Sequence, residues 1–151
     1  MATTTAAITL TSADLLTDAL SLSATNTLYK AGTTTGLDQT TGITKAYLTA
    51  TTQVDIFPTL IEGSIAYNGK SSWVYICNES TDETEYCIVK VSGNVIGKLY
   101  AGDFLWMPWS MAEDADSDNK HADIQLTPSV ATGMWFSWCM VNEGTEYPTS
   151  V

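Results

Sequence analysis

The residues able to do chemistry are few, and their spacing suits no familiar mechanism. His121, the only histidine, lies in Asn119-Lys120-His121-Ala122-Asp123. One imidazole cannot build a His-rich metal site, and neither H-E-x-x-H nor C-x-x-C occurs. A Ser-His-Asp triad would have to be assembled around His121 beside an acidic loop, and the G-x-S-x-G elbow that exposes a serine nucleophile is missing. Cys77, Cys87 and Cys139 fall in strand-like apolar segments, where a thiol behaves as a small buried hydrophobe. A hairpin register pairing Cys77 with Cys87 would make a disulfide geometrically conceivable. The odd cysteine count and the lack of a secretion signal favour free thiols.

Carboxylates are plentiful, and eight of the 17 sit in two loops: Glu79, Asp82, Glu83, Glu85, and Glu113, Asp114, Asp116, Asp118. A glycosidase pair needs two acids about 5–10 Å apart in contrasting environments within a cleft, whereas clusters like these are usually solvated loop. Asp114, Asp116 and Asp118 alternate as oxygen ligands do in an EF-hand loop. Asn119 takes the place of the required Gly, however, and Gln125 that of the bidentate Glu, so a weak Ca²⁺ site is the most they offer. No cofactor is expected, and no catalytic residue emerges. Trp106 and Trp109, aromatic residues with acids nearby, raise a carbohydrate-binding module as one possible role. Asn78-Glu79-Ser80 matches a glycosylation sequon by accident of composition.

Whole-chain charge narrows the partners. Against 17 acids stand six Lys and no Arg, a net charge of −11 over 151 residues. That sign is wrong for holding phosphate backbones, so nucleic acid is not an expected partner. The apolar runs are far shorter than the ~20 residues of a membrane helix, and the first dozen residues lack the basic and apolar regions of an export signal, so membrane insertion is not expected either. The Gly residues among the threonines are not followed by Lys-Ser/Thr at P-loop spacing.

The elements that must carry these residues divide by composition. Of 24 Thr, 18 precede Leu60; all five Trp, all three Cys and 12 of 15 aromatic residues follow it. We therefore read residues 1–60 as a Thr-rich N-terminal arm with edge strands and 61–151 as a β-sandwich domain. In the first part, Ser12 could cap one or two helical turns over Ala13–Leu20. Thr27–Lys30 and Ile43–Thr49 read as strands. A segment so poor in large apolar groups is ordered either by lying across a neighbouring subunit or by forming edge strands and loops of its own domain. From Ser64 onward strand-like segments recur every eight to twelve residues between turn signals: Trp73–Cys77, Glu85–Val91, Val95–Tyr100, Phe104–Trp109, Asp123–Thr127 and Gly133–Val141. Tyr67–Lys70 and Ser92-Gly93-Asn94 read as turns, and the short connections predict that neighbouring strands pair antiparallel. The fold class expected is all-β, an antiparallel sandwich of jelly-roll-like or Greek-key type. The last strand is apolar on both faces, with Met134, Phe136, Trp138 and Met140 on one and Trp135, Ser137, Cys139 and Val141 on the other. Its second face needs cover from the first 60 residues or from another subunit, and Trp and Tyr are enriched at such contacts. Trp106, Trp109, Trp135, Trp138, Tyr29 and Leu28 are the expected interface residues.

Segment Leu28–Gly36, with its Leu-Tyr-Lys-Ala-Gly, and segment Gly97–Ser110, with Gly-Lys-Leu-Tyr-Ala-Gly-Asp-Phe-Leu-Trp-Met-Pro-Trp-Ser, carry a likeness. So do Val74-Tyr75-Ile76-Cys77-Asn78 and Ile124-Gln125-Leu126-Thr127-Pro128-Ser129. With these the chain resembles small virion structural proteins of tailed phages of aquatic bacteria, cyanophages among them, over most of residues 27–141. The resemblance implies a non-enzymatic protein built into a particle, most like a capsid decoration or cement protein. It implies the major capsid protein and the chain itself, as a homotrimer, for partners. It also implies synthesis in the host cytoplasm and a final place on the outer capsid surface of the virion. A tail, neck or fibre-attachment component of the same kind of particle is the alternative.

Overall fold

The computed structural model describes residues 3–14, 18–49, 53–57, 71–109 and 124–143. Every regular element among them is a strand: β1 (Thr5–Ser12), β2 (Leu20–Thr27), β3 (Gln39–Thr40), β4 (Thr44–Leu48), β5 (Val54–Phe57), β6 (Ser72–Asn78), β7 (Tyr86–Val91), β8 (Asn94–Tyr100), β9 (Phe104–Pro108), β10 (Ile124–Pro128) and β11 (Met134–Asn142). Period-two alternation is the local cause. In β6, Ser72, Val74, Ile76 and Asn78 are buried while Trp73, Tyr75 and Cys77 between them are only half-buried, so one face of the pleat enters a core and the other does not.

β1 and β2 form a two-stranded sheet of their own. The other strands build two antiparallel sheets, one ordered β5-β10-β7-β8, the other with β11 between β6 and the β3/β4 side and β9 beyond β6. Four pairings nest within one another: β7 with β8, β6 with β9, β5 with β10, and β4 with β11. Two further pairings, β11 with β6 and β10 with β7, complete the sheets. A long hairpin rolled up in this way is the eight-strand jelly-roll arrangement. β3 and β4 are two pieces of one edge strand along β11, broken at Gly42, whose φ of 71° no β-branched neighbour would adopt comfortably. Between the sheets lie Val74, Ile76, Met134, Phe136 and Met140 from one side and Ile56, Cys87, Val89, Leu99, Ile124 and Leu126 from the other. Fully burying one such aliphatic or aromatic side chain contributes about 1.5–3 kcal/mol.

The fold class is thus the one the strand pattern implies, but several finer expectations change. Sequence neighbours pair only in β1–β2 and β7–β8; the connections from β6 to β7, β8 to β9 and β10 to β11 instead cross between sheets. The reason is that consecutive strands satisfy their apolar faces against each other across the core rather than side by side. Cys77 and Cys87 therefore sit in different sheets, Cys77 opposite Ser137 and Phe104, Cys87 opposite Leu99 and Pro128, and all three cysteines are free. No disulfide joins them. The helical turns expected from Ser12 do not form in the described residues: Ser12 ends β1 and pairs with Leu20 at the start of β2. The strand expected at Thr27–Lys30 lies upstream, as β2, and Tyr29 makes one isolated bridge to Gly36. Strands β3, β4 and β5, all before Leu60, supply edges of both sheets and put Ile56 in the core. The Tyr67–Lys70 turn, His121 and the Asp114, Asp116, Asp118 loop lie outside the described residues.

Candidate interaction surface

Strand parity sorts the tryptophans. Along β9 and just beyond it, Phe104 and Trp106 face one way and Leu105, Met107 and Trp109 the other. Trp109 is only 6% exposed and belongs to the core, its N–H donating to the Ser72 carbonyl at 2.9 Å and its carbonyl accepting from the Ser72 hydroxyl. Along β11, Trp138 packs partly buried against the core, while Trp135 points out at 48% exposure. Leu28 is buried and its neighbour Tyr29 exposed. Of the six expected interface residues, Trp106, Trp135 and Tyr29 have accessible surface to offer; Trp109, Leu28 and much of Trp138 are used up inside the chain.

The outward residues of the β4-β11-β6-β9 sheet form one aromatic face. Register sets Tyr47 opposite Trp135, Tyr75 opposite Trp106 and Cys77 opposite Phe104. Trp73 and Trp106 stack with centroids 5.3 Å apart, Tyr47 and Trp135 meet at 5.3 Å, and Tyr75 and Phe104 at 6.1 Å. Phe104, on the edge strand β9, is 61% exposed. Sequence reading did not single out Phe104, Tyr47 or Tyr75, though the parity that sends Trp106 outward was there to find them. At the margin, Lys45 pairs with the Glu79 carboxylate, holding it below the usual carboxylate range with help from the Ser137 hydroxyl, and lies 5.7 Å over the Trp135 ring. Gly133 (φ 99°) passes directly under Tyr47, where a Cβ would come within 2.5 Å of the ring, and the Tyr47 hydroxyl donates to the Thr132 carbonyl.

The loop after β6 is closed by its own side chains rather than arranged around an ion. The Asn78 side chain is fully buried; its amide donates to the Leu99 carbonyl in the opposite sheet at 3.1 Å, and its oxygen accepts the Ser80 N–H. That geometry leaves the sequon asparagine no access for a glycan. Asp82 accepts from both the N–H and the hydroxyl of Thr84, which hold its carboxyl below the usual range. Among the described residues no group of three or more His, Cys, Asp or Glu converges on a point that could hold a metal. The thiols are similarly quiet: burial pushes Cys87 up to about 12, and it raises Cys139 as well.

The Thr-rich start of the chain is rooted on the sandwich by specific bonds. Leu28 N–H donates to the Thr4 carbonyl, Leu37 N–H to the Leu28 carbonyl, and the Thr4 hydroxyl to the Leu37 carbonyl. Glu143, buried at the end of β11, accepts the N–H groups of Ala31 and Ser71 at 3.0 and 3.2 Å. Above this root a cavity of about 420 Å³ opens between β1, from Thr4 to Leu10, and the aromatic face at Tyr75, Phe104, Trp106 and Val141. No family model, curated protein or solved structure matches the chain.

Proposed function

We propose that this chain is a non-enzymatic structural protein of a tailed-phage particle, a decoration or cement protein that binds the outer capsid shell and stabilises contacts between capsomers. The observation that carries the reading is the aromatic face of Tyr47, Trp135, Trp73, Tyr75, Phe104 and Trp106, of which Tyr47, Phe104 and Trp135 are 46–61% exposed and the other three half-buried. Monomers rarely leave contiguous apolar patches of that kind without a partner. Support also comes from the likeness of the Val74–Asn78 and Gly97–Ser110 segments to virion proteins, from the jelly roll's frequent use in capsid domains, and from a charge of −11, which suits an outside surface rather than one lining packaged DNA. In this reading the partners are the major capsid protein and further copies of the chain as a homotrimer. The mechanism is mass action: a ligand that binds only the assembled lattice stabilises that lattice by its binding free energy.

The test is binding of the purified protein to expanded capsids, followed by their resistance to heat or chelation. Phe104→Asp and Trp135→Asp, both at outward positions, should weaken binding at least about tenfold with the near-UV circular dichroism unchanged. A protein that ignores capsids but caps tail tubes belongs instead to the tail, neck or attachment machinery. A carbohydrate-binding role has lost one of its two stacking candidates, because Trp109 is in the core. Saturable, Trp106-dependent binding on a glycan panel would be needed to revive it.

A further inference from the structure

The β1–β2 hairpin has two unlike faces. Register pairs Ile8 with Ala24, Leu10 with Leu22 and Ser12 with Leu20, so Ile8, Leu10, Leu20 and Leu22 share one face while Thr and Ser, with Ala7, make up the other. Those four aliphatic side chains are each 41–45% exposed. Neither strand carries a charged residue, but the tip beyond them holds Asp14 and Asp18, both exposed and neither paired with a cation among the described residues. A two-stranded hairpin is marginal in water by itself; here β1, Ile8 and Leu10 included, borders the cavity over Tyr75, Phe104 and Trp106, and among the described residues all four aliphatic side chains stay exposed.

The matching surface is on the other sheet. The outward side of β7 and β8 carries Ile88, Lys90 and Lys98, and the edge strand β8 leaves Val95, Ile96 and Tyr100 exposed. Lys98 lies 3.9 Å over the Tyr86 ring, and Lys90 donates to the Gln53 side chain at 3.3 Å. Lys30 and Lys45 pair with Asp38 and Glu79, whereas Lys90 and Lys98 have no carboxylate partner among the described residues. Asp55, the outward acid of this sheet, stands on the opposite edge strand, β5.

We propose that the β1–β2 hairpin of one copy docks on the outward face of the β7–β8 pair of a second copy. Its aliphatic face meets Val95, Ile96 and Tyr100, and its acidic tip meets Lys90 and Lys98. Charge names the occupant: a cationic, apolar strip on a chain of −11 calls for an apolar element with an acidic end, and this chain supplies one. The contact is made between copies, because each hairpin is rooted beside the aromatic face, on the opposite side of its own sandwich from Lys90 and Lys98. Hairpin and receiving face are different surfaces, so the contact is heterologous, and in a homotrimer it closes as a three-membered ring. This contact deepens the particle reading by assigning the self-association its surfaces, and it is tested without capsids.

Sedimentation equilibrium of the full chain should show an oligomer. Asp14→Lys with Asp18→Lys, or Lys90→Glu with Lys98→Glu, should each weaken association at least about tenfold, since like charges then face each other. The chain carrying all four changes should associate again, which rules out misfolding as the cause. A monomeric wild type, reversals that leave association intact, or a fourfold variant that stays dissociated would each overturn the contact. Capsid binding by the dissociated variants would leave the particle reading standing on its own.

Discussion

Cys87 shows how a single side chain's surroundings settle its chemistry. It is fully buried between sheets, opposite Leu99 and Pro128, and burial holds its thiol protonated to about pH 12 against an ordinary value of 9.0. The raised value has a definite sign for stability. Below pH 9 both folded and unfolded thiols are neutral and the full contribution of burial is present. As the pH rises from 9 toward 12 the unfolded thiol ionises first, and stability falls by about 1.4 kcal/mol per pH unit. Denaturant titrations at pH 8, 9.5 and 10.5 should therefore show a steeper alkaline loss for the native sequence than for Cys87→Ala, whatever the variant's starting stability. Equal slopes would mean that the thiol ionises without unfolding. Tyr75, also raised to about 12 by burial and by its bond to Cys77, is common to both chains and cancels in the comparison. That cysteines in apolar runs are structural could be read from sequence. Which of them faces the core could not, because that depends on which side of each strand the partner sheet lies.

At the scale of elements, the β7–β8 turn was legible because its residues leave little choice. Ser92 and Gly93 both have positive φ, 47° and 76°, the requirement of the two-residue turn that matches strand twist. Gly meets it freely; Ser does so at a cost. Ser92→Asn should raise stability by about 0.5–1 kcal/mol, measured as a higher denaturation midpoint at unchanged slope. No gain would show that the turn's strain is relieved elsewhere. The β1–β2 hairpin was harder to read. Thr, Ser and Ala alternate with only four large aliphatic residues, and Ala13–Leu20 fits helical spacing equally well; the register Thr5–Thr27 to Ser12–Leu20 places the expected cap Ser12 and the last residue Leu20 in paired strands, and residues 15–17 lie outside the described residues.

For the molecule as a whole, the division near residue 60 reflects composition more than architecture. Strands β3 to β5 come from the Thr-rich part yet close the edges of both sheets, and the core cluster begins at Ile56. Neither strand of the two-stranded sheet contributes a residue to that core. Removing residues 1–27 should leave a sandwich with native near-UV circular dichroism and a cooperative melt that no longer self-associates. A truncated chain that unfolds would show that the bonds from Thr4 to Leu28 and Leu37 hold the fold rather than merely root the hairpin.

Alternation alone determined that this protein is all-β, where most of its later strands run and that its aromatic residues exceed the needs of one face, since a strand's period of two is written residue by residue. Tertiary structure decided which strands become neighbours, and with that the fate of each Trp. Trp106 and Trp109 lie three residues apart and so on opposite sides of the chain, but only the placement of the second sheet makes one side core and the other surface. The jelly-roll nesting, the separation of Cys77 from Cys87 and the gathering of Lys90 and Lys98 opposite the aromatic face all follow from long-range pairings. Their stabilisation comes from packing between segments distant in the chain, which no local pattern encodes.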